Sequence, residues 1–236
     1  MGYLSSYIKM LGREASGDIE RLVYKLLPKN DRAVYLDCGC WDGEKTLKRG
    51  KLIGTKNIFG VEVINKARVL SEKRGIKTYN FDLNLKWSVK SKSFDVITAT
   101  EVIEHLIDLD NFFSEVKRAL KDRGKLIIST ENLAGYHNIF TLLLGNQPYT
   151  GPYLSRRFSV SRGPSSEFYD KGISGYMNPH INVMTYKALI LILKKYGFTI
   201  LKNQGVGFYP LPFPFSKIMP SIDKYHSSYA VVLARK

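Results

Sequence analysis

Apolar residues recur along the first 131 positions in two alternating rhythms, and the alternation points to one class of fold. Ile19, Leu22, Val23, Leu26 and Leu27 stand at helical spacing, with Ser16 as N-cap and Pro28 as stop, so the pattern predicts a helix over 16–27. A short apolar run at 33–36 then breaks into a turn. After it come a helix over 44–51, an apolar run at 57–63, a helix over 65–74 stopped by Gly75, and a run at 76–81. A run at 94–99, a helix over 109–120 and a run at 125–130 complete the series. Strands separated by helices demand a parallel sheet with right-handed crossovers, covered on both faces.

From Glu131 the rhythm stops for about fifty residues. Tyr136, His137, Tyr149 and further aromatics lie there among Gly, Pro, Ser and Asn, interleaved with Arg156, Arg157 and Arg162. So long an irregular stretch, rich in aromatics, predicts a lid inserted after strand five and closing over substrate. Regular pattern resumes at Thr185, the N-cap of a helix through Tyr196 with Gly197 at its end, and strands at 198–201 and 229–234 follow. The chain reads as one α/β domain over 1–236: a helical segment 1–28, a core 29–132, the lid 133–180, and a C-terminal helix with strands 181–236.

Charge sharpens this division. Of 36 basic and 21 acidic residues, giving +15, positions 1–131 hold 24 and 18, and positions 132–236 hold 12 and 3. The acids crowd the first half, and the excess positive charge falls on the half left for substrate, which favours anionic partners or surfaces. Cys38 and Cys40 are too close for a good disulfide and have no nearby His to make a zinc site, so they read as small buried residues in a reducing compartment. No stretch approaches the ~20 apolar residues of a membrane span, and the first residues lack a signal-peptide pattern, which together place the protein in the cytoplasm.

The turn after the first strand, Asp37-Cys38-Gly39-Cys40-Trp41-Asp42-Gly43-Glu44, carries three carboxylates before its first base, Lys45. A pyrophosphate turn aims backbone N–H groups at an anion and does not place carboxylates beside it, so this turn suits a cation. Its glycines are also four apart, and Trp41 stands where the dinucleotide fingerprint has its second glycine.

These residues resemble the first motif of the class I S-adenosylmethionine-dependent methyltransferases, acid-x-Gly-x-Gly-x-Gly, with Trp41 at the place of the middle glycine. The resemblance implies a Rossmann-like, doubly wound, mostly parallel seven-stranded sheet with helices on both faces, and S-adenosylmethionine as cofactor. Glu62 ends the second strand nineteen residues after Gly43, where an acid can accept both ribose hydroxyls. Asp82 matches the family acid that accepts from the adenine amine, with Phe81 and Leu83 as apolar walls. The candidate cofactor contacts are therefore Asp37, Gly39, Cys40, Trp41, Gly43, Glu62, Val63, Phe81, Asp82, Leu83 and Glu101; no metal ligands are expected.

Thr100-Glu101-Val102-Ile103-Glu104-His105-Leu106 resembles the post-strand motif of small-molecule methyltransferases such as the quinone-biosynthesis group. The Asn/Asp-Pro-Pro-Tyr/Phe of enzymes acting on nucleobase amines is missing. Ser129-Thr130-Glu131-Asn132-Leu133-Ala134 has Glu131 where relatives often have proline, and 180–185 is similar to a run in methyltransferases of glycan and lipid clusters. His105, Glu131 and His180 are the candidate catalytic groups: His105 as base or as a loop-holding residue, Glu131 as a substrate anchor or a turn cap. Tyr136, His137, Tyr149, Arg156, Arg157 and Arg162 are the candidate substrate contacts. The reading is methyl transfer to a small-molecule or glycolipid-type acceptor, anionic ones included, with a hydroxyl as target. The rivals are an RNA methyltransferase using the basic aromatic-rich half, and a cofactor-binding scaffold without chemistry.

Overall fold

A computed structural model describes residues 2–152, 154 and 180–236. Helix α1 (Gly2–Leu26) is followed by β1 (Val34–Cys38), α2 (Glu44–Ile53), β2 (Asn57–Val61), α3 (Asn65–Lys73), β3 (Lys77–Tyr79) and β4 (Phe94–Thr100). A 3-10 turn (Ile103–His105) leads to α4 (Leu109–Ala119), β5 (Leu120–Glu131) and α5 (Tyr136–Leu143). Past the undescribed stretch come α6 (Tyr186–Lys195), β6 (Thr199–Val206), α7 (Phe215–Ile222) and β7 (Tyr229–Arg235).

The seven strands form one sheet in the order β3-β2-β1-β4-β5-β7-β6, with β7 antiparallel to both its neighbours and the other described pairs parallel. Successive residues bury on opposite faces, as the period of two requires. Leu36, Ile97 and Ile128 pack toward α4 and α6 with Phe112, Phe113, Leu189 and Leu193. Tyr35, Val96 and Ile127 pack toward α1 and α2 with Ile19, Val23 and Ile53. The strand order reverses between β1 and β4, which opens a crevice outside their carboxyl ends.

Three expectations change. Ser16 is not an N-cap: it lies inside α1, which begins at Gly2. The segment after β5 is not irregular throughout, because α5 occupies Tyr136–Leu143. Its apolar residues stand at helical spacing but no charged face opposes them, so the amphipathic contrast that marks a helix in sequence is missing. Helix α7 was also hidden, since Pro220 sits inside it. Thr185 does cap α6, accepting from the Ala188 N–H at 3.2 Å.

Candidate active site

Register aligns the strand ends that build the site. Cys38 pairs with Val61 on one side and Ala99 on the other, so Gly39 and Glu62 follow their strands at one level, with Glu101 just past β4. A cleft of ≈ 520 Å³ opens there, lined by Gly39, Trp41, Glu62, Val63, Asp82, Leu83, Glu101 and His105 together with Val61, Ile64, Asn84, Val102 and Leu106. Of these, Ile64, Asn84, Val102 and Leu106 carried no sequence signal beyond their neighbourhood.

Trp41 adopts φ 49°, the left-handed conformation a glycine would take at no cost. Its N–H donates to Glu62 Oε2 at 3.0 Å, and the Ile64 N–H donates to Glu62 Oε1 at 2.9 Å. The carboxylate thus locks the turn and the start of α3 together, and each oxygen keeps a lone pair for a ligand. Asp82 Oδ1 accepts from the backbone and side chain of Asn84 at 2.8 and 2.9 Å. Glu101, also left-handed at φ 54°, accepts from Ser129 Oγ at 2.7 Å.

Four expected cofactor contacts are not among the residues lining the cleft. Asp37 is buried away from the cleft, accepting from Thr46 and Thr98 and, at both its oxygens, from Arg49 Nη1 at 2.9 and 3.1 Å. Cys40 turns its sulfur toward Ser71 and against Gly60, where an added Cβ would sit 2.5 Å from it. Gly43 serves packing: its φ is +83°, and a Cβ there would strike Ser71 and Ile76. Phe81 stacks on Trp87 beside Tyr79. Asp42 is paired too, with Arg74 at 3.1 Å. The turn's own acids are therefore largely neutralised, and the negative character of the cleft comes from Glu62, Asp82 and Glu101, with no lysine or arginine among the described residues of its lining.

Beside the cleft, at the ends of β4 and β5, a second group of charges is buried. Glu104, almost wholly buried, accepts from Thr130 Oγ1 at 2.9 Å while its backbone carbonyl receives the N–H groups of Ile181 and Asn182. His180 Nδ1 lies 2.9 Å from the Thr150 carbonyl and 3.0 Å from Glu131 Oε2. The His105 ring packs edge-on against His180 at 4.8 Å. Burial, with Glu131 and Glu104 as like charges, pushes Glu101 well above the usual carboxylate range, and burial lifts Glu104 to about 7. Burial works against the His180 charge, but Glu131 overcomes it and holds the imidazolium up to about 9. Ligand-type atoms of Glu104, His105 and His180 fall within 4.8 Å of one another, a spacing a cation could bridge, yet Glu104 and His180 already hold protein partners.

Glu131 is thus a partner of His180, and the turn after it is held by Asn132, whose Oδ1 accepts from Ala134 and Tyr186 N–H groups. His137 is buried against Tyr149 and Tyr209 with neither ring nitrogen hydrogen-bonded, and burial lowers it to about 4. Tyr136 faces outward, its ring stacked on His226 at 4.8 Å. Arg156, Arg157 and Arg162 lie outside the described residues. Glu104 is the residue that sequence reading missed.

A mostly parallel sheet reversing between β1 and β4, with an acid-lined cleft at the reversal, makes the fold Rossmann-like with a site suited to a cation. Residues 11–203 match the family model described as "Methyltransferase domain", and the chain belongs to that family, the S-adenosylmethionine-dependent methyltransferases of class I. A curated relative is the mitochondrial ubiquinone biosynthesis O-methyltransferase of Bos taurus, 30% identical over 108 residues; the match spans 41% of this chain and 28% of that protein. Among solved structures, an S-adenosylmethionine-dependent methyltransferase from Mesorhizobium loti superposes with TM-score 0.63 at 18% identity, covering 94% of this chain and all of that one. A possible histamine N-methyltransferase from Thermotoga maritima gives 0.64 at 17%, covering 99% and 96%. At such identities the likeness shows the fold.

The cofactor is S-adenosylmethionine. The cleft fits it chemically: three carboxylates, with no lysine or arginine among the described lining residues, suit a sulfonium carrying an ammonium, and a Cβ on Gly39 would meet Val102 at 2.9 Å. Among the described residues no helix is long and apolar enough to cross a membrane.

Proposed function

We propose that the chain methylates a hydroxyl on a small-molecule or glycolipid-type acceptor in the cytoplasm. The observation that carries this reading is the adjacency of the acid-lined cleft to the buried Glu101, Glu104, Glu131 and His180 group, with Glu101 and His105 lining the cleft itself. The relative named as an O-methyltransferase supports an oxygen acceptor.

In this reading Glu62 takes the ribose hydroxyls, Asp82 the adenine amine, and Val63 and Leu83 form the walls. Bound S-adenosylmethionine supplies an electrophilic methyl with a good leaving group, so alignment is the protein's main contribution. A positive ligand beside Glu101 favours its ionised form, which burial otherwise opposes. His180, kept charged by Glu131, anchors the acceptor as a hydrogen-bond donor. His105 takes the hydroxyl proton. Tyr149 and His137 bound the acceptor chamber, and the positive lid residues Arg156, Arg157 and Arg162 serve anionic acceptors.

The test is transfer of a 13C-labelled methyl into small-molecule and lipid extracts. A methoxy product is expected, and an N-methyl product or methylated RNA would replace this reading. His105→Asn should slow transfer to the identified acceptor by about 10²–10⁴-fold with cofactor affinity unchanged; an unaltered rate would leave the loop-holding role for His105.

A further inference from the structure

Helices α5 and α7 leave uncovered apolar stripes that the cofactor site does not use. On α5, Tyr136, Phe140 and Leu143 stand at i, i+4 and i+7, one face of the helix, and all are exposed, Leu143 at 79%. On α7, Phe215, Ile218 and Ile222 repeat the pattern at i, i+3 and i+7, with Ile222 at 74%. Single exposed apolar side chains need no explanation, but two whole stripes do.

The stripes meet at one end. Tyr136, the first residue of the α5 stripe, donates its hydroxyl to Asp223 at 3.3 Å, and Asp223 is the residue after Ile222, the last of the α7 stripe. The Tyr136 ring also stacks on His226 and packs against Phe208, fixing the two helix ends together. No Asp, Glu, Lys or Arg occurs from 132 to 155 or from 205 to 216, although these segments belong to the half with 12 bases and 3 acids. The cations flank the stripe: Lys217, within α7, lies 4.8 Å over the Phe213 ring and 3.7 Å from Asp18, and Lys224 follows α7 after Asp223.

We propose that this face docks the enzyme onto the surface of an anionic lipid bilayer, with α5 and α7 lying in the interface. Charge selects this occupant. A second copy would bring +15 against +15, whereas a bilayer offers acyl chains to the stripes and negative headgroups to the surrounding bases at once. Neither helix, at eight residues, is long enough to enter further, so the contact is interfacial. The face begins five residues beyond Glu131, so docking sets the acceptor chamber close to the membrane. The proposal does not rest on the acceptor reading, since binding to lipid needs no turnover.

The experiment is co-sedimentation of the full chain with vesicles of phosphatidylcholine alone and of phosphatidylcholine with phosphatidylglycerol, beside sedimentation equilibrium without lipid. The chain should partition onto the anionic vesicles, weakening as salt rises. Phe140→Ser with Leu143→Ser, and separately Phe215→Ser with Ile218→Ser, should each lower the partition coefficient by about tenfold or more. Because these side chains are exposed, cofactor affinity and the unfolding midpoint should stay unchanged. No vesicle binding, or binding equal in parent and variants, overturns the proposal, the latter leaving only unspecific charge adsorption. Self-association lost in the same variants overturns it in favour of a second copy.

Discussion

Arg49 divides its guanidinium between Asp37 and Glu20 and adds a bond to Thr100 at 2.9 Å, while Thr46 and Thr98 donate to Asp37 and Lys45 approaches Glu20 at 3.4 Å. Two carboxylates meet two cations there. At the ends of β4 and β5 the balance is different: Glu101, Glu104 and Glu131 share one cationic group, His180, and burial drives Glu101 and Glu104 toward their protonated forms. Both clusters are buried, acidic and adjacent to the cofactor strands. The closed one fastens α1 and α2 to the sheet; the open one has charge to spend on a ligand. Residue type alone does not distinguish a structural acid from a site acid, and completeness of pairing does.

The comparison is broken most severely by removing the cation of the closed cluster. Arg49→Met should destabilise the fold by about 3–5 kcal/mol, because it leaves Asp37 and Glu20 buried without their partner. Urea unfolding measures it, and a loss below about 1 kcal/mol would mean the cluster is not what fastens α1.

A cleft acid should behave in the opposite way. Glu62→Ala is expected to weaken cofactor binding by about 1.5–3 kcal/mol, the scale of charge-assisted hydrogen bonds. Stability should fall less than for Arg49→Met, since Trp41 and Ile64 N–H groups at the cleft can turn to water. Calorimetric titration at unchanged affinity would remove Glu62 from the ribose.

How much of this was legible follows from which signals are local. The alternation of apolar runs and helices placed β1 to β5 and the last two strands, because each buried strand writes its own pattern. Glu62 and Asp82 were readable as acids at successive strand ends and Glu101 as an acid of the motif after β4, and these three line the cleft, whereas Asp37, the first strand's acid, does not. Asp37 turns to Arg49, twelve residues away on α2, and nothing local tells which way a strand-end carboxylate turns. Glu104 escaped notice because its burial depends on Thr130 and on the chain at 181–182, contacts across long sequence separation. Helix α5 has no charged residue and α7 only Lys217, so neither shows the charged face that makes a helix visible.

The open cluster should also make stability depend on pH. His180 titrates at about 9 in the folded chain, above the ordinary 6.5 of an unfolded histidine. Its contribution is therefore full below pH 6.5 and is lost as pH rises through about 9. The shift corresponds to at most about 3 kcal/mol at 1.36 per unit, and solvent reaching the partly exposed His180 and Glu131 side chains, 14% and 17%, screens it to on the order of 1–2 kcal/mol. Glu104, raised to about 7, has the same sign but acts at lower pH, between its ordinary 4.5 and 7. His180→Gln should accordingly flatten the fall in stability between about pH 7.5 and 9. An unchanged slope in urea titrations would show that Glu131 does not hold this proton.

The smallest effect separates the cleft acids from one another. Asp82 is half tied up in its own turn, where Oδ1 accepts two bonds from Asn84, leaving Oδ2 for a ligand. Glu62 by contrast faces two vicinal hydroxyls in the proposed pose and keeps both oxygens available, each spending one lone pair on a backbone N–H. One adenine amine deprived of Asp82 can find water, whereas two ribose hydroxyls deprived of Glu62 lose a shared acceptor together. Asp82→Ala should thus cost about 0.5–1.5 kcal/mol in cofactor affinity, the range of a single net hydrogen bond. It should cost less than Glu62→Ala in the same calorimeter. Asn84 would lose its local partner too, so Asn84→Ala serves as the control: a fall in affinity equal to that of Asp82→Ala would assign the effect to the shape of the turn, and a loss larger than that of Glu62→Ala would exchange the two acids in the pose.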